Sequence, residues 1–236
     1  MFAAAGTLRR AALSVLAAVA GDAWAGPGAP DGGVAPGRLL DEVVAVVKPS
    51  RGEARVVTRS KVAEEGRIAL VSAGGLEAAY KPLDAGALAA SLSWYVDQIL
   101  LYEEAVRLKV FEVERADAVA ALARFQKRFP RPEDYRAFLY DLDITEEELL
   151  GTLRRTLRVQ RYLESRLGRI RVSDAEAEAY YRAHVADLGG AAFAEVKDAV
   201  KARLGAERAE ADTRALLADL RARSEIRVLV EFAGSP

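Results

Sequence analysis

The two ends of the folding part of this chain read as β-strand and the stretch between them reads as helix, which leaves few ways for the molecule to close. Residues 41–48, DEVVAVVK, are β-branched and almost continuously apolar, as suits a strand covered on both faces. Pro49, Ser50, Arg51 and Gly52 have turn chemistry and the β-rich run EARVVTR follows, so the pair reads as a hairpin with a four-residue loop. A lone hairpin is marginal in water. The missing partner lies at the other end, where Ile226, Val228, Val230 and Phe232 alternate with Arg227, Leu229 and Glu231. Pairing of that strand with the N-terminal hairpin predicts a mainly α fold: a multi-helix core closed by a small antiparallel sheet of the hairpin and the C-terminal strand. The alanine-rich composition favours helix in the same way.

Seven helices are legible between the strands. The first covers residues 60–72, and Gly74-Gly75 and Pro82 lead to Asp84, a cap for the second. Leu88, Leu92, Tyr95, Ile99, Tyr102 and Val106 of the second recur at spacings of 4, 3, 4, 3 and 4, one apolar stripe with Trp94 and Leu101 beside it. A third helix covers 115–128. A fourth starts after Phe129 with Pro132 in its first turn. Thr145 with Glu148, and Ser173 with Glu176, form capping boxes that start the fifth helix, running to Leu167, and the sixth, running to Val185. The last begins near Phe193 after Gly189-Gly190. Its middle, AERAEADTR, has almost no large apolar residue and is expected to lie exposed.

Ahead of the strands, Arg9 and Arg10 precede an uncharged apolar run, residues 11–20, and Ala23-Trp24-Ala25 places small residues where a signal peptidase inspects the chain. The run is about half of the roughly 20 residues needed to cross a bilayer. The reading is a secretory signal peptide, residues 1–25, cleaved after Ala25, with an uncleaved N-terminal anchor as the alternative. In residues 26–37 eight of twelve positions are Gly or Pro, a flexible spacer. The folded unit is then residues 38–236, with the hairpin and helices in 38–185 and the last helix and strand in 193–232.

Composition narrows the chemistry. There is no cysteine and one histidine, His184, so thiol chemistry, disulfides and His-pair metal sites are excluded, and no cofactor or metal site is expected. His184 near a helix C-terminus reads as a charge–dipole residue rather than a catalyst. Glu146, Glu147 and Glu148 read as first-turn carboxylates rather than an acid–base pair. Arg154, Arg155, Arg158 and Arg161 form a basic helix face. With a net charge of -1 a salt-bridged, solvated face is expected there and no nucleic acid partner. Phe125, Phe129, Tyr135, Phe138 and Tyr140 fall within sixteen residues around a Pro-containing turn; they read either as core or as an exposed binding patch.

Taken in order, DEVVAVVK, VVTRSKV, VDQILLYEEAVRLKV, TEEELLGTLRRTLRVQRYLESRL, VSDAEAEAYYRAH and FAEVKDAVKARL with the closing SEIRVLV resemble SurA-type periplasmic chaperones, the SurA N-terminal domain family, from about Leu40 to Val230. Fuller members of that family insert a parvulin prolyl-isomerase domain between the sixth and last helices. Here only eight residues separate His184 from Phe193, too few for a domain, so the chain resembles the chaperone core alone. The PSRG turn and the long connection at 73–87 also depart from the family pattern.

The resemblance implies a periplasmic, ATP-independent holdase without catalytic residues. Its partners would be unfolded exported polypeptides, outer-membrane protein precursors among them, and through these the outer-membrane assembly machinery, with no stable membrane anchor. A client cradle is expected from Phe125, Phe129, Tyr135, Phe138 and Tyr140 with Trp94 and Tyr95 and the underside of the last helix. The alternatives are a peptidyl-prolyl isomerase-related folding factor, or an adaptor dedicated to one envelope partner.

Overall fold

A computed structural model describes residues 41–109, 111–168, 170–185, 191–230 and 232. The expected signal peptide, its cleavage site, the spacer and the diglycine before the last helix lie outside the described residues. The chain is mainly helical with one three-stranded antiparallel sheet. In chain order the elements are β1 (Val43–Lys48), β2 (Arg55–Thr58), α1 (Arg59–Ala73), a 3-10 turn (Leu76–Ala79), α2 (Ala85–Arg107), α3 (Arg115–Gln126), α4 (Pro132–Asp141), α5 (Glu146–Leu167), α6 (Asp174–Ala183), α7 (Phe193–Ala222) and β3 (Glu225–Val228).

The first and last strands of the described residues meet in one sheet, whose order is β2-β1-β3. β1 is the central strand: Val46 faces Val56 on one side and Arg227 on the other. Val44, Ala45 and Val47 are buried, Val46 is half-buried, and Val43 and Lys48 are exposed. Two expectations need correction. The β1–β2 loop covers residues 49–54 rather than four residues, because Glu53 and Ala54 do not join the ladder. β3 ends at Val228 rather than Phe232; after one further bond, Leu229 N–H to Val44 O at 2.9 Å, the chain leaves the ladder and Phe232 packs into the core.

Local chemistry sets the helix ends. The Thr58 hydroxyl accepts from Lys61 N–H at 3.4 Å to start α1, and Gly74, at φ 105°, ends it in the left-handed conformation that glycine adopts without a Cβ clash. Asp84 caps α2, accepting from Ala87 N–H at 2.7 Å. Both capping boxes form: the Glu148 and Glu176 carboxylates each accept from the backbone N–H of their cap residue at 2.8 Å. α3 stops at Gln126 and α6 at Ala183, two residues short of the expected ends.

Two large apolar cores result, with a small third cluster of Ala69 and Trp94 beside them. One joins the sheet to α2, the second half of α5 and the end of α7, with Val44, Val57, Leu92, Leu100, Val159 and Leu220 among its buried residues. The other joins α1, α3, α4 and the first half of α5. α2 touches α1, α5 and α7, so its buried residues extend well beyond the single expected stripe: Trp94, Val96, Leu100 and Leu101 are buried as well as Leu92 and Ile99. α6 packs on α7, tied by Lys197 and Lys201 to Asp174 at 2.6 and 2.7 Å and by Arg208 to Glu176 at 2.5 Å. These bonds hold the Asp174 and Glu176 carboxyls down to about 2. They also correct the reading of the last helix, whose middle is not wholly exposed: Arg208 reaches α6 there and Ala209 is buried.

The contact between α1 and α2 rests on small residues. A Cβ on Gly66 would come within 2.7 Å of Ser91 Cβ, and Ser91 Oγ is buried with no hydrogen-bond partner. Gly66→Ala is expected to cost about 1–3 kcal/mol through overpacking, and Ser91→Gly in the same chain to recover part of that loss. Urea denaturation of the single and double variants measures both; equal loss in the two would mean that the helices do not meet at this pair.

Candidate binding site

The aromatic residues expected to form one cradle are distributed between the interior and the surface. Phe125, Phe129, Tyr135 and Phe138 converge where α3 and α4 fold over α5, with ring centroids 5.4–5.8 Å apart. All four are buried, so the cluster is core and not an exposed patch. The physical reason is the short turn between α3 and α4, which brings their ring-bearing faces together over Leu149 and Leu153. Burial, together with the Glu146 carboxylate that accepts the Tyr135 hydroxyl at 3.0 Å, pushes that phenol up to about 12. Tyr140 is 88% exposed and outside that cluster. Trp94 is buried against Ala69 with Leu70 and Tyr95 beside it. Of the seven residues, only Trp94 and Tyr95 reach the concave surface described next.

That surface lies between α2 and α5. Its first part is a narrow slot of about 30 Å³ lined by Trp94, Tyr95, Gln98 and Tyr102 from α2 and Thr152, Arg155 and Thr156 from α5. Buried charge forms its floor. Glu65 of α1, 4% exposed, accepts from Arg155 Nη2 at 2.6 Å and pairs with Lys61 Nζ at 3.1 Å, and Arg155 also donates to Thr152 Oγ1 at 2.7 Å. Burial pushes the Lys61 ammonium down, but the Glu65 and Glu64 carboxylates beside it outweigh this and raise it. Burial, and then the Glu65 charge, raise the Tyr95 phenol.

Beside the slot is a cavity of about 320 Å³ lined by Tyr102, Val113, Gly151, Arg154, Arg155 and Arg158. Tyr102 and Arg155 line both parts. The guanidinium carbons of Arg55 and Arg158 each lie 6.0 Å from the Tyr102 ring centroid, within cation–π range. Arg55 is also paired with Glu103. The sequence reading of the α5 arginines as a salt-bridged face holds for two of them. Arg155 pairs with Glu65 and Arg161 with Asp117 at 2.5 Å. Arg154 instead donates Nε to Val113 O at 2.9 Å, and Arg158 Nε is buried without a hydrogen-bond partner. Neither Arg154 nor Arg158 has a carboxylate partner among the described residues.

Gly151 and Val113 are therefore the site residues that sequence reasoning passed over, while Tyr102 and Arg158 were read as part of an apolar stripe and of a salt-bridged face. A signal existed: a glycine inside a long, otherwise well-formed helix, flanked at helical spacing by arginines, leaves room on one face. His184 caps α6, its Nδ1 2.9 Å from Tyr180 O and its ring stacked 4.0 Å from the Tyr180 ring, away from this site. Among the described residues no group of His, Asp and Glu side chains is placed to hold a metal ion, and no helix is long and apolar enough to cross a membrane.

Comparison with known proteins returns no matching family model, no matching curated protein and no matching solved structure.

Proposed function

We propose that the chain is an ATP-independent holdase for unfolded exported polypeptides, outer-membrane protein precursors included, acting in the periplasm after cleavage of its signal peptide. The observation that carries the reading is the α2–α5 slot and cavity, where tyrosine faces and arginine forks lie side by side and open to solvent. Such a surface suits a client without fixed structure. Guanidinium N–H groups can donate to the carbonyls that an unfolded chain leaves unpaired, and rigid rings contact varied side chains at low entropic cost.

Binding the unfolded state and not the native one holds a client back by mass action, and rapid dissociation returns it without an energy source. On this reading the client surface is formed by α2 and α5 rather than by α3 and α4, whose rings Phe125, Phe129, Tyr135 and Phe138 are buried. The full-length protein, mixed at stoichiometric concentration with several unrelated barrel proteins diluted from urea, is expected to slow their aggregation without ATP. Failure with every client would sink the proposal. Suppression of one client alone would favour a dedicated adaptor, and faster isomerisation of a proline peptide would favour the isomerase reading.

A further inference from the structure

We infer that the arginine cavity is a carboxylate site, which anchors a bound polypeptide by its C-terminal carboxylate or by an acidic side chain. The inference rests on the holdase reading for the nature of the ligand and on the geometry of the cavity for its charge. Three of the six lining residues are arginines and none is acidic. Glu65 occupies Arg155 from the slot side, so the uncompensated charge belongs to Arg154 and Arg158. The two stand one helical turn apart on α5. Arg154 is oriented by its bond to Val113 O, which leaves its terminal nitrogens for a ligand. Arg158 holds a buried N–H that no protein acceptor meets, against the general rule that such groups are paired.

Each guanidinium presents a planar fork that matches a carboxylate, and a carboxylate between the two would satisfy both. The remaining walls select among anions. Tyr102 and Val113 offer a ring and an apolar side chain, which a free phosphate would leave uncovered and the side chain next to a peptide carboxylate would fill. Gly151 makes the room: a Cβ there would meet only Arg155 Nη1, at 3.8 Å. The slot and the cavity share Tyr102 and Arg155, so a chain held against the α2–α5 surface lies next to the arginines.

The test uses the full chain and three peptides with an N-terminal fluorophore, followed by anisotropy: one of alternating apolar and polar residues with a free C-terminus, the same peptide amidated, and the amide with one internal glutamate. The free acid, the glutamate amide, or both are expected to bind about tenfold tighter than the plain amide, the size of effect that one charge-assisted hydrogen bond supplies. Arg158→Gln should abolish that preference. Gly151→Leu, which fills the cavity and suits a helix better than glycine, should abolish it independently of any effect of R158Q on folding.

Equal binding of all three peptides, or a preference that survives both substitutions, overturns the inference. So does binding of inorganic phosphate that R158Q removes while the peptides bind alike, which would assign the cavity to a free anion. Aggregation suppression is scored on the same preparations. Its absence alongside carboxylate-selective binding refutes the holdase reading alone; its presence with no selectivity refutes the carboxylate site alone.

Discussion

Phe138→Ala is expected to lower stability by about 3–5 kcal/mol, read as a fall in the urea midpoint at nearly constant slope. The ring is 1% exposed and lies 5.8 Å from Phe125 and 5.4 Å from Phe129. Its deletion leaves a void bounded by three helices that short connections hold in place, so relaxation can recover little. The void also undercuts Arg67, whose guanidinium carbon sits 5.4 Å from the ring centroid. Arg67 is itself buried and donates to Ala78 O at 2.7 Å, Ala79 O at 3.1 Å and Asp141 at 2.6 Å, so it joins α1 to the 3-10 turn and to α4. Tyr140→Ala, two residues away on the same helix, is expected to change stability by no more than about 0.5 kcal/mol, because that side chain is 88% exposed. Were the aromatic cluster a client surface, Phe138→Ala would leave the fold intact and reduce client binding. An unchanged urea midpoint would therefore restore the exposed-patch reading.

Glu65→Gln is the second large effect, about 2–3 kcal/mol. Removing one member of a buried ion pair costs about 3–5 kcal/mol because the partner is left buried and uncompensated. The lower figure applies here because Arg155 and Lys61, 38% and 34% exposed, can recover part of their hydration. Glutamine keeps the volume and part of the hydrogen bonding to Thr152 while removing the charge. A double replacement, Glu65→Met with Arg155→Met, should regain much of the loss, since an apolar pair of similar size avoids the desolvation of both ions. Thermal or urea unfolding of the single and double variants measures the coupling. Additive losses would show that Glu65 and Arg155 are not a unit. The single variant has a functional consequence as well: it releases Arg155 toward the cavity and so should not weaken carboxylate binding, in contrast to R158Q.

The parts of the fold most legible in the sequence were those governed by neighbours along the chain. Thr145 with Glu148 and Ser173 with Glu176 form their boxes because both partners lie within one helical turn. Pro132 starts α4, Gly74 ends α1 and Asp84 caps α2 for equally local reasons. The return of the last strand was legible for a different cause: a hairpin rich in valine cannot stay alone, and only one other segment had strand alternation. The candidate site was less legible. Seven aromatic positions were expected to act together, yet four of them face inward around α5, because side-chain direction depends on how α3 and α4 are rotated against their neighbours. The stripe on α2 marked a true buried face but not the others, since a helix touched by α1, α5 and α7 buries more than one side.

By itself, the sequence determined the order of strands and helices, the positions of their caps and the closure of the two ends into one sheet, all of which follow from local hydrogen bonding and apolar periodicity. It also determined that any action on a partner must use carboxylates, hydroxyls, rings and cations, for want of cysteine and of more than one histidine. Only the tertiary structure decided which rings lie in the core and which arginines lack an acid. Glu65 and Asp117 come from other helices to neutralise Arg155 and Arg161, and no carboxylate comes to Arg154 or Arg158 among the described residues. Charge pairing between distant segments depends on how each helix is rotated about its own axis, a quantity that spacing along the chain does not contain.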